Sequence, residues 1–132
     1  REQVQWGVEH KLRILAADDN QKVLALLQKD FARFGLEVVT CARRGELRAL
    51  LEAEPFDALA IDESLTGGSG VEFCMSIKGK YPALTRIIMT SAPTREIVEA
   101  RSHRMIDGYI VKPVSAATLL NEIRACRRAH DA

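Results

Sequence analysis

The sequence predicts an α/β fold in which a doubly wound sheet of five parallel strands is covered on both faces by five helices. Five short apolar runs alternate along the chain with five segments whose apolar residues recur at helical spacing. The runs are continuously apolar rather than alternating, which is typical of parallel strands buried on both faces. With 132 residues, the chain is long enough for one domain with a substantial core.

The first half of the chain supplies three strands and two helices. Residues 12–17 are the first strand, and a helix follows from about 21 to 34. Its inward residues are predicted to be Val23, Leu27, Phe31 and Phe34. The second strand, at 36–41, is rich in β-branched residues, and a short helix at 45–53 precedes the third strand at 56–61.

The second half continues the alternation. A helix is predicted at 71–80, and Pro82 prevents its continuation beyond that point. The fourth strand is predicted at 86–89. Thr94 is a suitable cap for a fourth helix that ends near Arg101. The fifth strand, at 109–111, leads into a last helix capped by Ser115, which ends in basic residues.

Polar side chains follow four of the strands at the point where each strand ends. They are Asp18 and Asp19, Asp62, Thr90 and Lys112. Right-handed crossovers place the carboxyl ends of parallel strands on one edge of the sheet, and ligands of such sheets bind at this edge. We therefore expect these five side chains to form one site.

Three carboxylates that meet at one edge repel one another unless a cation lies among them. Lys112 neutralises one charge, and a Mg²⁺ ion with oxygen ligands suits the remainder. A metal between Asp19, Asp62 and a phosphoryl oxygen would leave Thr90 and Lys112 to hold the other oxygens, which describes a phosphoryl-transfer site with Asp62 as the nucleophile. The glycines of the next loop would keep it low and open to a phosphodonor: Gly67, Gly68 and Gly70.

Four segments in this order and spacing carry a resemblance to a known family. Residues 17–20, 61–70, 89–92 and 108–113 resemble the receiver domain of two-component response regulators, and the match covers about residues 11–128. The resemblance implies a flavodoxin-like, CheY-like fold with strand order 2-1-3-4-5. It also implies a signalling domain that is not an enzyme, beyond assisting its own Mg²⁺-dependent phosphorylation and dephosphorylation.

The resemblance implies a role for each site residue. Asp62 would accept a phosphoryl group from a phosphohistidine on a histidine kinase or histidine phosphotransfer protein, and Thr90 and Lys112 would contact its oxygens. Asp19 and Asp62 would bind Mg²⁺ directly, and Asp18 would bind it through water. The backbone carbonyl of Ser64 would complete the ligands.

Switching is implied by the resemblance as well. Thr90 would move toward the phosphoryl group and Tyr109 would turn inward, which would alter the face formed by the fourth helix, fifth strand and fifth helix. The peptide bond before Pro113 is expected to be cis.

Three positions depart from the family's pattern. Thr66 stands where proline is usual and Leu65 where methionine is usual, so we expect a more mobile loop after Asp62. Ser91 follows Thr90 where a smaller residue is usual, which would alter access to the phosphorylated carboxylate.

Composition and chain organisation narrow the remaining possibilities. We expect a lead-in or linker at 1–10 and a receiver domain at 11–130, within a segment excised from a longer protein. The sequence leaves open whether the parent protein is a stand-alone regulator, a transcription factor or a hybrid kinase. Nineteen Lys and Arg against eighteen Asp and Glu give no charge excess that favours direct nucleic-acid binding. The apolar runs are shorter than the ~18 residues of a membrane span, and no signal peptide is visible. The three cysteines are far apart and are typical of buried thiols in a reducing compartment, so a cytoplasmic location is expected.

Two other function classes remain as alternatives. The first is a receiver-like adaptor that binds a partner through the same face without phosphorylation. The second is an enzyme on the same fold, for which the sequence offers little. A flavin-binding protein would need a phosphate-binding loop where Asp18 and Asp19 stand, and a dehalogenase-type phosphatase would separate its first two aspartates by one residue.

Overall fold

The computed structural model describes residues 11–66 and 68–131, so the predicted lead-in at 1–10 and Gly67 of the predicted loop lie outside the described residues. The sheet strands are β1 Ile14–Ala17, β2 Val38–Cys41, β3 Ala58–Asp62, β4 Thr85–Thr90 and β5 Gly108–Val111. The helices are α1 Gln21–Ala32, α2 Arg44–Ala53, α3 Gly70–Ser76, α4 Arg95–Ser102 and α5 Ala116–Asp131. A small antiparallel hairpin of Ser64–Leu65 and Gly68–Ser69 lies between β3 and α3.

The five sheet strands are parallel and lie in the order β2-β1-β3-β4-β5, which confirms the predicted fold class and strand order. In the register of the sheet, Asp62 at the end of β3 lies opposite Met89, and Thr90 lies opposite Val111. The strand ends that carry polar residues are therefore neighbours.

The core has two parts, one on each face of the sheet, because successive strand residues point to opposite faces. Ile14 and Ala16 of β1 pack with residues of α1 and α5, whereas Leu15 and Ala17 pack with residues of α2, α3 and α4. All four are fully buried, as expected for a continuously apolar strand in the middle of a covered sheet.

Helix ends differ from the predicted ones in two places. Helix α1 ends at Ala32, so Phe34 falls in the following turn, where it is 50% exposed, and the prediction that Phe34 faces inward is wrong. The buried residues of α1 are Leu24, Leu27 and Phe31. Helix α3 ends at Ser76, and the chain turns through Gly79, whose φ of +84° suits glycine.

Both predicted helix caps are confirmed. The Thr94 hydroxyl accepts a hydrogen bond from the Ile97 amide at 3.3 Å, and the Ser115 hydroxyl accepts one from the Thr118 amide at 3.1 Å.

Within the described part of the chain, no helix has the length and apolar character needed to span a membrane.

Candidate functional site

Two carboxylates and one lysine meet where β1, β3 and β5 end. The Lys112 ammonium donates a hydrogen bond to Asp62 Oδ1 and lies 3.6 Å from Asp18 Oδ2. The aspartate side chains are nearly buried, at 10% exposure for Asp62 and 5% for Asp18, while Lys112 is 33% exposed. One partly exposed cation therefore faces two nearly buried carboxylates, whereas Asp19 and Thr90 make their contacts elsewhere.

The protonation of Lys112 follows from its surroundings. Partial burial lowers the pKa of its ammonium, but the hydrogen bond to Asp62 and the negative charge of Asp18 outweigh that effect, so the pKa lies above the ordinary lysine value. Lys112 is accordingly charged at neutral pH and neutralises one of the two facing carboxylates.

Asp18 has one satisfied and one unsatisfied oxygen. Its Oδ1 accepts a hydrogen bond from the Asn20 amide at 2.9 Å, whereas the buried Oδ2 has no hydrogen-bond partner. The Lys112 ammonium, 3.6 Å away, partly compensates its charge without donating a hydrogen bond to it. This oxygen is therefore well suited to bind a further donor, water or cation.

Asp19 is turned toward the hairpin loop. Its Oδ1 accepts hydrogen bonds from the Thr66 amide at 3.0 Å and from the Thr66 hydroxyl at 2.9 Å. A proline at position 66 could provide neither donor. The threonine that replaces the usual proline thus connects this loop to Asp19 by two hydrogen bonds. The greater mobility expected for the loop stays a prediction.

The second oxygen of Asp62 is held by its own chain. Oδ2 accepts a hydrogen bond from the Ser64 amide at 3.1 Å. Behind it, a Cβ added to Gly70 would lie closer than 3.0 Å to the Asp62 carbonyl oxygen, so a side chain at position 70 would displace the end of β3. Gly70 is thus required by close backbone approach, a reason that the sequence does not reveal.

Thr90 is buried, and its hydroxyl is engaged by a residue that the sequence reasoning missed. It lies 2.7 Å from Glu63 Oε1 and 2.8 Å from the Ala92 carbonyl oxygen, and the Ser91 amide donates to the same Glu63 oxygen at 3.3 Å. A carboxylate directly after a strand-end aspartate is the signal that could have found Glu63. In the described part of the chain, the Thr90 hydroxyl makes no hydrogen bond to Asp62.

Tyr109 and Pro113 complete the predicted set. Tyr109 is half-buried in β5, and the Arg101 guanidinium lies 5.5 Å from the centre of its ring. Its role as a switch stays a prediction. The Lys112–Pro113 peptide bond is cis, as expected.

The residues present fit a magnesium ion in chemistry, although they are not preassembled around one. Among the described residues, no group of three or more His, Cys, Asp or Glu side chains is arranged to hold a metal. Lys112 contacts Asp62, and Thr66 holds Asp19. The Asp18 oxygen that accepts no hydrogen bond and its neighbouring carboxylates nevertheless form the hard, anionic oxygen set that Mg²⁺ prefers.

A groove of about 720 Å³ opens beside Lys112, between α1 and the segment that follows β5. Its apolar lining includes Val23, Leu26 and Val114, and Leu26 is 68% exposed. Asp18 and Lys112 also line the groove, so a partner that fills it would come close to Asp18 and Asp62.

Comparison with known proteins identifies matches over nearly the whole chain. Residues 14–124 match the sequence model of the response regulator receiver domain. A response regulator receiver domain protein (CheY-like) from Methanospirillum hungatei JF-1 is 27% identical with a TM-score of 0.81, covering 92% of this chain and 98% of that one. The chemotaxis response regulator CheY4 of Vibrio cholerae is 23% identical with a TM-score of 0.77, covering 89% and 99%. The response regulator DrrB of Thermotoga maritima, an OmpR/PhoB homolog, is 22% identical with a TM-score of 0.76, covering 91% of this chain and 54% of that one.

Proposed function

The chain belongs to the response regulator receiver domain family, and from this premise we propose that it is a phosphoacceptor whose Asp62 takes a phosphoryl group from a phosphohistidine. Receiver domains are signalling domains rather than classical enzymes. The observation that carries the proposal is the meeting of Asp62 with Lys112 and Asp18 at the carboxyl edge of the sheet.

In the proposed step, an Asp62 carboxylate oxygen attacks the phosphorus atom of a phosphohistidine. A P–O bond forms to Asp62, the P–N bond breaks, and the histidine nitrogen keeps the electron pair and takes up a proton. Lys112 supports the step because its charged ammonium already contacts Asp62 Oδ1 and can follow the negative charge onto the phosphoryl oxygens. The Ser64 amide fixes Oδ2 and so orients the carboxylate.

Mg²⁺ is the cofactor that this arrangement suits. Asp19, Asp62 and the carbonyl of Ser64 would hold it directly, and Asp18 would hold it through water. When bound, the ion neutralises charge on the transferring phosphoryl group. The Asp18 oxygen that accepts no hydrogen bond supports this assignment, since a metal-bound water could donate one to it.

A histidine kinase or histidine phosphotransfer protein is the proposed partner. The groove between α1 and the segment after β5 supports this, because the exposed Leu26 and Lys112 line the same groove. In response, Thr90 would move to the phosphoryl group and Tyr109 would turn inward, which would change the face of α4, β5 and α5 that an output or kinase domain would recognise.

Phosphorylation of the purified chain tests the proposal. We expect acetyl phosphate with Mg²⁺ to add one hydroxylamine-sensitive phosphoryl group, detected by intact mass. Asp62→Asn should abolish the gain, and chelation of Mg²⁺ should suppress it. Asp30→Asn is a matched control, because Asp30 lines the same groove without contacting Asp62, and it should be labelled like the wild type.

Two results would contradict the proposal. One is a folded wild-type protein that gains no phosphoryl group from either acetyl phosphate or a phosphorylated phosphotransfer protein, which would favour the adaptor alternative. The other is an Asp62→Asn variant that is labelled as fast as the wild type, which would place the acceptor elsewhere.

A further inference from the structure

We propose that Glu63 is a positioning residue that holds Thr90 in its resting place and so sets how readily the site switches. The inference rests on the proposed function, in which the Thr90 hydroxyl must reach a phosphoryl group on Asp62. It concerns a residue beside the site for which the sequence reasoning gave no role.

The contact itself is short and charge-assisted. The Thr90 hydroxyl has one proton to donate, and it lies 2.7 Å from Glu63 Oε1 and 2.8 Å from the Ala92 carbonyl oxygen. A carboxylate is the stronger acceptor of the two, and hydrogen bonds to ionised acceptors are about twice as strong as neutral ones. Thr90 is fully buried, so water does not replace this bond when it breaks.

Glu63 is well fixed for this role by its backbone. Its amide donates to the Met89 carbonyl at 2.9 Å, and its carbonyl accepts from the Gly70 amide at 2.9 Å. The first of these bonds ties Glu63 to the residue before Thr90. The side chain therefore starts from a point that is set by β4 itself, rather than from a mobile loop.

A second donor strengthens the arrangement. The Ser91 amide donates to the same Glu63 oxygen at 3.3 Å, so one carboxylate oxygen holds both the Thr90 hydroxyl and the backbone that follows it. Movement of Thr90 toward Asp62 would break the first bond and strain the second. Glu63 thus stabilises the resting state, in which both contacts are made.

The consequence for ligand binding follows from population arithmetic. For a ligand that requires Thr90 in its switched position, the apparent Kd equals the intrinsic Kd divided by the fraction of molecules already in that position. If Glu63 lowers this fraction about tenfold, which is ~1.4 kcal/mol, its removal tightens apparent binding about tenfold.

Titration with beryllofluoride and Mg²⁺, a mimic of the phosphoryl group, tests this in the whole chain by calorimetry, with the Ser91 amide followed by NMR. Glu63→Asp keeps the charge but is one methylene too short, and Glu63→Ala removes the carboxylate. We expect both to bind about tenfold more tightly than wild type. Glu63→Gln, which keeps the shape with a weaker acceptor, should fall between and provides a test should the alanine variant fail to fold.

A double-mutant cycle separates positioning from simple charge repulsion. In a Thr90→Ala background, the Glu63 substitutions should have no further effect on the apparent Kd, whereas in a Thr90→Ser background the effect should return with the hydroxyl. Tightening that persists in Thr90→Ala would overturn the inference, since Glu63 would then act only through its charge.

The remaining outcomes distinguish this inference from the proposed function. If the wild type binds beryllofluoride and the Glu63 variants bind equally well, the positioning role is wrong and the proposed function stands. If the wild type neither binds beryllofluoride nor accepts a phosphoryl group, both are wrong.

Discussion

Gly70 offers the sharpest test of how the fold holds Asp62. A Cβ at position 70 would lie closer than 3.0 Å to the Asp62 carbonyl oxygen and 3.3 Å from Ile88 Cδ1. The isoleucine methyl can yield, but the carbonyl belongs to the end of β3. In Gly70→Ala the two backbones must therefore separate by about half an ångström, in a region packed at interior density.

The magnitude follows from what such separations cost. Overpacking of this kind destabilises by about 1–3 kcal/mol, and misplacement of a reactive group by about 1 Å can slow its chemistry ~100-fold. We expect Gly70→Ala to lose about 2 kcal/mol of unfolding free energy in urea and to be phosphorylated by acetyl phosphate about tenfold more slowly.

Gly45→Ala is the matched control. Gly45 lies in α2 with nothing within 4 Å of the added Cβ, so the alanine should be tolerated and add about 0.5–1 kcal/mol of stability. Its phosphorylation rate should equal that of the wild type. A Gly70→Ala protein that is as stable and as quickly labelled as the wild type would refute the claim that close approach at Gly70 positions Asp62.

Three further changes have defined outcomes. Because the pKa of Lys112 is raised in the folded state, its stabilising effect is fully present below the pKa of free lysine and is lost as pH rises through the folded value. The stability difference between wild type and Lys112→Met should therefore shrink in urea titrations from pH 9 to 11.5, and a constant difference would contradict this. Burial raises the pKa of the Cys41, Cys74 and Cys126 thiols to about 12. Iodoacetamide should therefore label the native protein slowly at pH 7.5 and rapidly once urea unfolds it, as measured by intact mass. Asp30→Ala removes the carboxylate that accepts from the Ala116 amide at 2.9 Å at the start of α5, and should cost about 1 kcal/mol in urea unfolding, whereas Asp30→Asn should cost less.

The sequence was sufficient for the fold because its signals were local and consistent. Continuous apolar runs identified β1 and β3, and cap residues such as Thr94 located helix starts within a residue. Phe34 was misplaced because helical spacing continues past the point where a helix can end, and nothing in the pattern marked Ala32 as its last residue.

Prediction of the site was weaker for contacts between side chains distant in sequence. Strand ends indicated that Asp62 and Lys112 would be neighbours, since topology alone brings them together. The bond from Thr90 to Glu63 depends on which way two adjacent strand-end side chains turn, and no periodicity specifies that.

Charge explains why these contacts occur together. Asp18 and Asp62 share the single ammonium of Lys112, so in the resting state this nearly buried cluster retains an excess of negative charge. Asp19 is drawn away from it by the two Thr66 donors, which spares the cluster a third carboxylate. A site arranged in this way is poised to take up cationic charge, and binding of a divalent ion would at once satisfy the Asp18 oxygen and release Lys112 to follow a phosphoryl group. Thr66 holds Asp19 and Glu63 holds Thr90, so an ion bound by Asp19 would compete with the first contact, and a movement of Thr90 toward Asp62 would compete with the second.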